Sequence, residues 1–234
     1  MKSNFQFNTE KYNFWELYNT INKYYPIGVD RGWGRGIYFK YPGIQELENI
    51  VVENIHIKEN FENRWESFAK PMGKKLNRMI MGMTYGQAPS FSSSVVFNDQ
   101  KSQNISLQKK LHFSVSLIGK FYQIYGFDES FQSEIDENGS LVKCHRVTTS
   151  PLEEFEESFE IIEKMINDKF PGYRIVPYSI GQSIIKGLQV RYLDDEDCTI
   201  NKALFNQFLS TERASLITRG NINYGIECWK INND

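Results

Sequence analysis

Cysteine and histidine are scarce in this chain of 234 residues, with three of each. Cys144, Cys198 and Cys228 are odd in number and widely spaced. That excludes a disulfide framework or a Cys-rich zinc module and predicts reduced, partly buried thiols. His56, His112 and His145 stand apart, without the ligand spacing a metal requires, so neither a metal nor another cofactor is expected. Long apolar runs are lacking too. The start shows no apolar core of about 7–15 residues, and nowhere do roughly 18 apolar residues follow one another. The expectation is a cytoplasmic protein that does not engage membranes. Charge of one sign is also missing: 27 Lys+Arg stand against 29 Asp+Glu, and no basic stripe exists to neutralise phosphates, so nucleic acid is not an expected partner.

What is present is a composition of folded type, 40% hydrophobic and 24% charged. Aromatic residues abound, with 17 Phe, 13 Tyr and 4 Trp, most of which must build a core. No repeat, low-complexity tract or polar linker divides the chain, so one domain over 1–234 is expected. The charge is segregated: residues 151–234 carry 9 basic against 14 acidic side chains, while 1–150 carry a slight basic surplus. An acidic C-terminal part attracts basic partners.

Patterning supports a mixed fold. Phe14, Leu17, Tyr18, Ile21 and Tyr25 recur at helical intervals after Thr9-Glu10 and before Pro26. Ile37–Tyr41 reads as a strand closed by Pro42-Gly43, and Ile50–Val52 and Ile55–Ile57 favour extended structure. Phe61, Trp65 and Phe68 fit a short helix stopped by Pro71. Leu111, Phe113, Val115 and Leu117 alternate with His112, Ser114 and Ser116, and Gly119-Lys120 turns the chain into Phe121–Tyr125, which predicts a hairpin. Asn138-Gly139 predicts a second one between 131–137 and 140–147. Ser150-Pro151-Leu152-Glu153 has the form of a capping box opening a helix whose buried face is Phe155, Phe159, Ile162 and Ile166. Tyr173–Val176, Leu188–Leu193 and Ile222–Ile231 read as strands, and about 199–209 as a short helix. Together these predict an α+β fold, an antiparallel meander sheet packed against amphipathic helices.

Catalytic signatures fail on inspection. Gly32-Trp33-Gly34-Arg35-Gly36 has the glycines of a phosphate loop, but here a helix precedes and a strand follows, the reverse of a nucleotide site. Ser-x-x-Lys occurs at Ser67, Ser106 and Ser183 without the Lys-Thr-Gly element that accompanies it in penicillin-recognising enzymes. Cys144 and His145 are neighbours on a strand and point to opposite faces. Two contact candidates remain. Arg31, Trp33 and Arg35 form one, because Trp and Arg contribute disproportionately to interfaces. Asp194, Asp195, Glu196 and Asp197 form the other, a run of carboxylates that lacks the glycine and alternation of a calcium loop.

Leu111–Leu117, Phe121–Gly126, and Phe170-Pro171-Gly172-Tyr173 leading to Ala203-Leu204-Phe205 resemble small bacterial proteins of the polymorphic-toxin immunity type. The resemblance covers less than half the chain. It implies a non-enzymatic protein that binds and blocks a cognate toxin, and it assigns no site residues. The expected partner is therefore a protein, such as a basic toxin domain. An enzyme with a dispersed active site is the alternative that sequence leaves open.

Overall fold

The structure, a computed structural model, describes residues 4–32, 36–101, 105–136, 139–194, 197–208 and 217–231. The fold is α+β. Five strands run antiparallel in chain order: β1 (Met79–Gly82), β2 (Ser90–Lys101), β3 (Ile105–Ser116), β4 (Phe121–Asp136) and β5 (Gly139–Thr148). Two short strands join in parallel, β6 (Arg174–Ile175) on β4 and β7 (Ile217–Arg219) on β5. The predicted β3–β4 hairpin is present, and its pairing places Phe113 opposite Ile124 and Ser114 opposite Gln123. The segments 121–125 and 131–136 are one strand rather than two, and Asp136 pairs with Gly139 across the predicted turn; Glu137 and Asn138 lie outside the described residues.

The helices are α1 (Trp15–Tyr24), α2 (Pro42–Val51), α3 (Lys58–Phe61), α4 (Ser67–Leu76), α5 (Glu156–Lys169), α6 (Tyr178–Gly181) and α7 (Ile200–Leu204). Helix α1 begins later than Thr9 suggests, because the Thr9 hydroxyl accepts from Tyr12 N at 2.9 Å inside a turn that bridges Asn8 to Asn13. Ile37–Tyr41 is not a strand. Its centre is a single helical turn that sinks Tyr38 into the core. Residues 42–56 are helical rather than extended: α2 places Ile44, Leu47 and Val51 on one buried face, and a π-helical turn at Val52–His56 follows, leaving Ile57 extended. Their three- and four-residue spacing outweighs the β-branched content. Pro71 lies inside α4 instead of ending it. Burial of Phe68, Ala69 and Met72 around it outweighs the hydrogen bond that proline cannot donate.

The capping box is absent as well. Ser150 Oγ accepts from Asn221 N at 3.0 Å, and Glu153 takes a φ of +48° and pairs with Arg219, so α5 starts at Glu156 after one tight turn. Its predicted buried face is present in full. Leu188–Leu193 and Ile222–Ile231 form turns and a short helical segment, not strands, held by turn bonds such as Leu188 N to Ile185 O at 3.1 Å and Tyr224 N to Asn221 O at 3.0 Å together with side-chain contacts. Tyr38 Oη donates to Gln189 O at 2.8 Å and Tyr25 Oη to Ala203 O at 2.9 Å. Burial holds both phenols well above their ordinary pKa, which keeps them protonated donors.

Two large cores result. One lies between α4, α5 and the face of the sheet carrying Phe91, Val95, Leu111, Phe113, Val115 and Ile124. The other joins α1, Tyr38 and α2 to the C-terminal segment through Leu188, Val190, Ile200, Leu204, Phe205 and Trp229. Cys144 and Cys198 are buried and Cys228 is exposed. Among the described residues no helix is long and apolar enough to cross a membrane.

Candidate functional site

Gly28 and Gly187, both at positive φ, let two distant loops meet back to back, with Gly28 N donating to Gly187 O at 2.8 Å. A side chain on Gly187 would place its Cβ 3.1 Å from the Gly28 backbone, so the approach depends on the missing Cβ. Beside this junction opens a cleft of about 560 Å³ bounded by Gly28, Asp30, Arg31, Gly187, Gln189 and Asp194 among others. Arg31 N donates to Gln189 Oε1 at 2.5 Å, Arg31 Nη1 donates to Arg191 O at 2.9 Å, and Arg31 Nη2 forms an ion pair with Asp194.

Arg31 and Asp194, 163 residues apart in sequence, thus lie on one rim. The ion pair is lopsided. The side chain of Arg31 is 16% exposed and that of Asp194 is 75% exposed, so the cation is sunk in the rim while the carboxylate is presented to solvent. Asp197 supports the loop, its Oδ1 accepting from Gly187 N at 2.7 Å, and Asp30 Oδ1 accepts from Gly32 N at 3.0 Å. Trp33, Arg35, Asp195 and Glu196 lie outside the described residues.

A second constellation is internal, and sequence reasoning passed over it. Ser90, Ser92 and Ser94 of β2 stand opposite Ser116, Ser114 and His112 of β3, and Gln123 of β4 continues the Ser114 row. All are buried. His112 Nδ1 lies 3.0 Å from Ser94 Oγ, and its Nε2 lies 2.9 Å from Ser114 Oγ. Asn206 Nδ2 donates to Ser92 Oγ at 2.9 Å, and Ser90 Oγ donates to Phe205 O at 2.9 Å, which ties the layer to the C-terminal segment. Phe208 covers the imidazole edge-on. Burial, assisted by the Lys110 charge, holds the His112 pKa down at about 3, so the ring is neutral at ordinary pH.

The signal for this layer was the serine at every second position of β2 and β3. A strand whose alternate residues are hydroxyls reads as solvent-facing, and the C-terminal segment that buries it is remote in sequence. His56, by contrast, contacts Gly86 O through Nε2 at 2.6 Å. Among the described residues no three His, Cys, Asp or Glu side chains gather as metal ligands would. No family model, no curated protein and no solved structure matches the chain.

Proposed function

We propose that this chain is a protein-binding protein that engages a basic partner at the rim of the Gly28–Gly187 cleft, in the manner of an immunity protein blocking a toxin domain. The observation that carries the reading is the asymmetric Arg31–Asp194 pair, which fixes a carboxylate outward beside an open cleft. The acidic surplus of the C-terminal part extends the same field. Attraction of this kind accelerates encounter and weakens with salt, whereas aromatic anchors slow dissociation.

The experiment is binding kinetics with a partner captured from the source cell by tagged protein. Asp194→Asn is expected to slow association several-fold at low salt with little change in dissociation. Trp33→Ala is expected to speed dissociation. Association that is insensitive to both salt and Asp194→Asn rejects the rim as the docking site.

The enzyme alternative has one observation in its favour, the 2.9 Å contact between His112 Nε2 and Ser114 Oγ, which has the geometry of a base beside a hydroxyl nucleophile. Both side chains are buried, and Phe208 lies over the ring. A fluorophosphonate probe separates the readings: labelling that is lost in Ser114→Ala favours the enzyme, and absence of labelling favours an architectural role.

A further inference from the structure

The sheet is finished differently at its two edges. At one end β7 covers β5 over Arg146–Thr148, and Arg219 of β7 is held in an ion pair with Glu153. At the other end stands β1, which among the described residues has a strand on one side alone. Its residues, Met79-Ile80-Met81-Gly82, include no charge and no proline. Edges are normally guarded by charge, proline, a bulge or a covering segment, because an open edge invites another strand. The nearest cation along the chain does not guard this one: the Arg78 guanidinium lies over the Phe97 ring, 4.1 Å from its centroid. Met79 is 57% exposed, Gly82 is exposed, and no atom lies within 4 Å of where a Gly82 Cβ would project.

The register fixes which backbone groups of β1 face outward. Met83 N donates to Ser92 O at 3.0 Å, and the pairing continues through Gly82 opposite Ser93 and Met81 opposite Ser94 to Met79 opposite Val96. Hydrogen-bonded pairs alternate along an antiparallel ladder, so Met79, Met81 and Met83 bond towards β2. The N–H and C=O groups of Ile80 and Gly82 therefore point away from the sheet. Arg78 N, the next group in that outward row, donates to Gly73 O at 3.0 Å, which closes the row at its start.

We propose that β1 pairs antiparallel with β1 of a second copy of this chain, about a two-fold axis at Met81. Ile80 then faces Gly82 of the second copy, and Gly82 faces the second copy's Ile80. These are two hydrogen-bonded pairs, which exchange four N–H···O bonds. The branched side chain of Ile80 meets the residue that has none, Met81 meets Met81, and Arg78 falls opposite the uncharged Thr84, so no like charges stand across the junction. This fit of the edge to itself selects a second copy over a foreign strand. So short a ladder buries little area, which makes the pair weak and concentration-dependent. It does not rest on the reading of the cleft rim.

Sedimentation velocity over a concentration series is the first test, and a monomer–dimer equilibrium is expected. Gly82→Pro removes an outward N–H from each copy and leaves the ladder to β2 intact. It is expected to weaken the dimer about tenfold or more, with the melting temperature unchanged within about 2 °C. Met81→Cys, in a Cys228→Ser background that removes the exposed native thiol, is expected to give a disulfide-linked dimer under mild oxidant. The Cα atoms of such a non-hydrogen-bonded pair lie about 4.5 Å apart, within disulfide range. Met79→Cys in the same background stands away from the axis and is expected to stay monomeric on oxidation. A chain that is monomeric throughout and gives no Met81→Cys cross-link overturns the proposal. So does a dimer that Gly82→Pro leaves intact, or cross-linking as strong from Met79→Cys as from Met81→Cys. Where Gly82→Pro does not fold, the two cysteine variants decide.

Discussion

From β3, Leu111, Phe113 and Val115 turn towards α4 and α5, while His112, Ser114 and Ser116 turn towards the C-terminal segment. Both sets are buried, yet they are held by different physics. On the first side, Phe113 packs against Trp65 with ring centroids 5.6 Å apart, and cohesion comes from apolar area removed from water. On the second side, cohesion comes from hydrogen bonds, whose net worth is small when formed and whose loss is costly when a partner is left stranded. The comparison teaches that one sheet can use burial for stability on one face and for register on the other. A hydroxyl row is satisfied only when β2, β3 and β4 stand in this alignment, so it adds directional hydrogen bonds to the register that the apolar face already imposes.

The largest effect should come from the apolar face. Phe113→Ala is expected to cost about 3–5 kcal/mol in denaturant unfolding, through lost burial and the cavity left behind. A cost no larger than that of the polar-face variants would show that the two faces contribute alike.

His112→Ala should follow, at about 2–3 kcal/mol, because it opens a cavity and strands the hydroxyls of Ser94 and Ser114. His112 also imposes a pH dependence. Its folded pKa, about 3, lies below the ordinary histidine value near 6.5, so the unfolded state binds the proton more readily. Its contribution is fully present above about pH 6.5 and is lost progressively as pH falls towards about 3, with a slope of at most about 1.4 kcal/mol per pH unit. Unfolding titrations of the native chain and of His112→Gln should diverge in that window and run parallel above it.

Gly126→Ala tests how closely the apolar face is packed. A Cβ at Gly126 would lie 2.5 Å from the Phe155 ring, so a cost of about 1–3 kcal/mol is expected from forced repacking. Phe155→Leu in the same background should recover part of it. The smallest effect belongs to Ser92→Ala, about 1 kcal/mol, since Ser114 and Asn206 keep a hydrogen bond to each other when the Ser92 hydroxyl is removed. A much larger loss in hydrogen-exchange protection across β2 and β3 would make Ser92 the keystone of the register.

Legibility followed the same division. The apolar alternation of Leu111–Leu117 and the helical spacing from Phe155 to Ile166 were readable because each element buries one face, and period reveals that face. Strand β2 was not, since Ser92-Ser93-Ser94 carries little hydrophobic signal. Ser150-Pro151-Leu152-Glu153 misled because its local pattern is outcompeted by Asn221 and Arg219, partners that arrive from about 70 residues away. Of the contact candidates, Arg31 and Asp194 were each visible in sequence, but their pairing was not.

The sequence by itself determined the fold class, the β3–β4 hairpin and the inward faces of α1 and α5, because local propensity and period suffice where neighbouring residues share one fate. Tertiary structure alone decided that a row of serines would be buried, that Leu188–Leu193 would be held by the Tyr38 hydroxyl and the Arg31 guanidinium instead of a strand partner, and that Arg31 would turn inward while Asp194 turned out. Each of those outcomes depends on hydrogen bonds between segments far apart in the chain, and hydrogen-bonding groups carry no periodic mark of which partner will satisfy them.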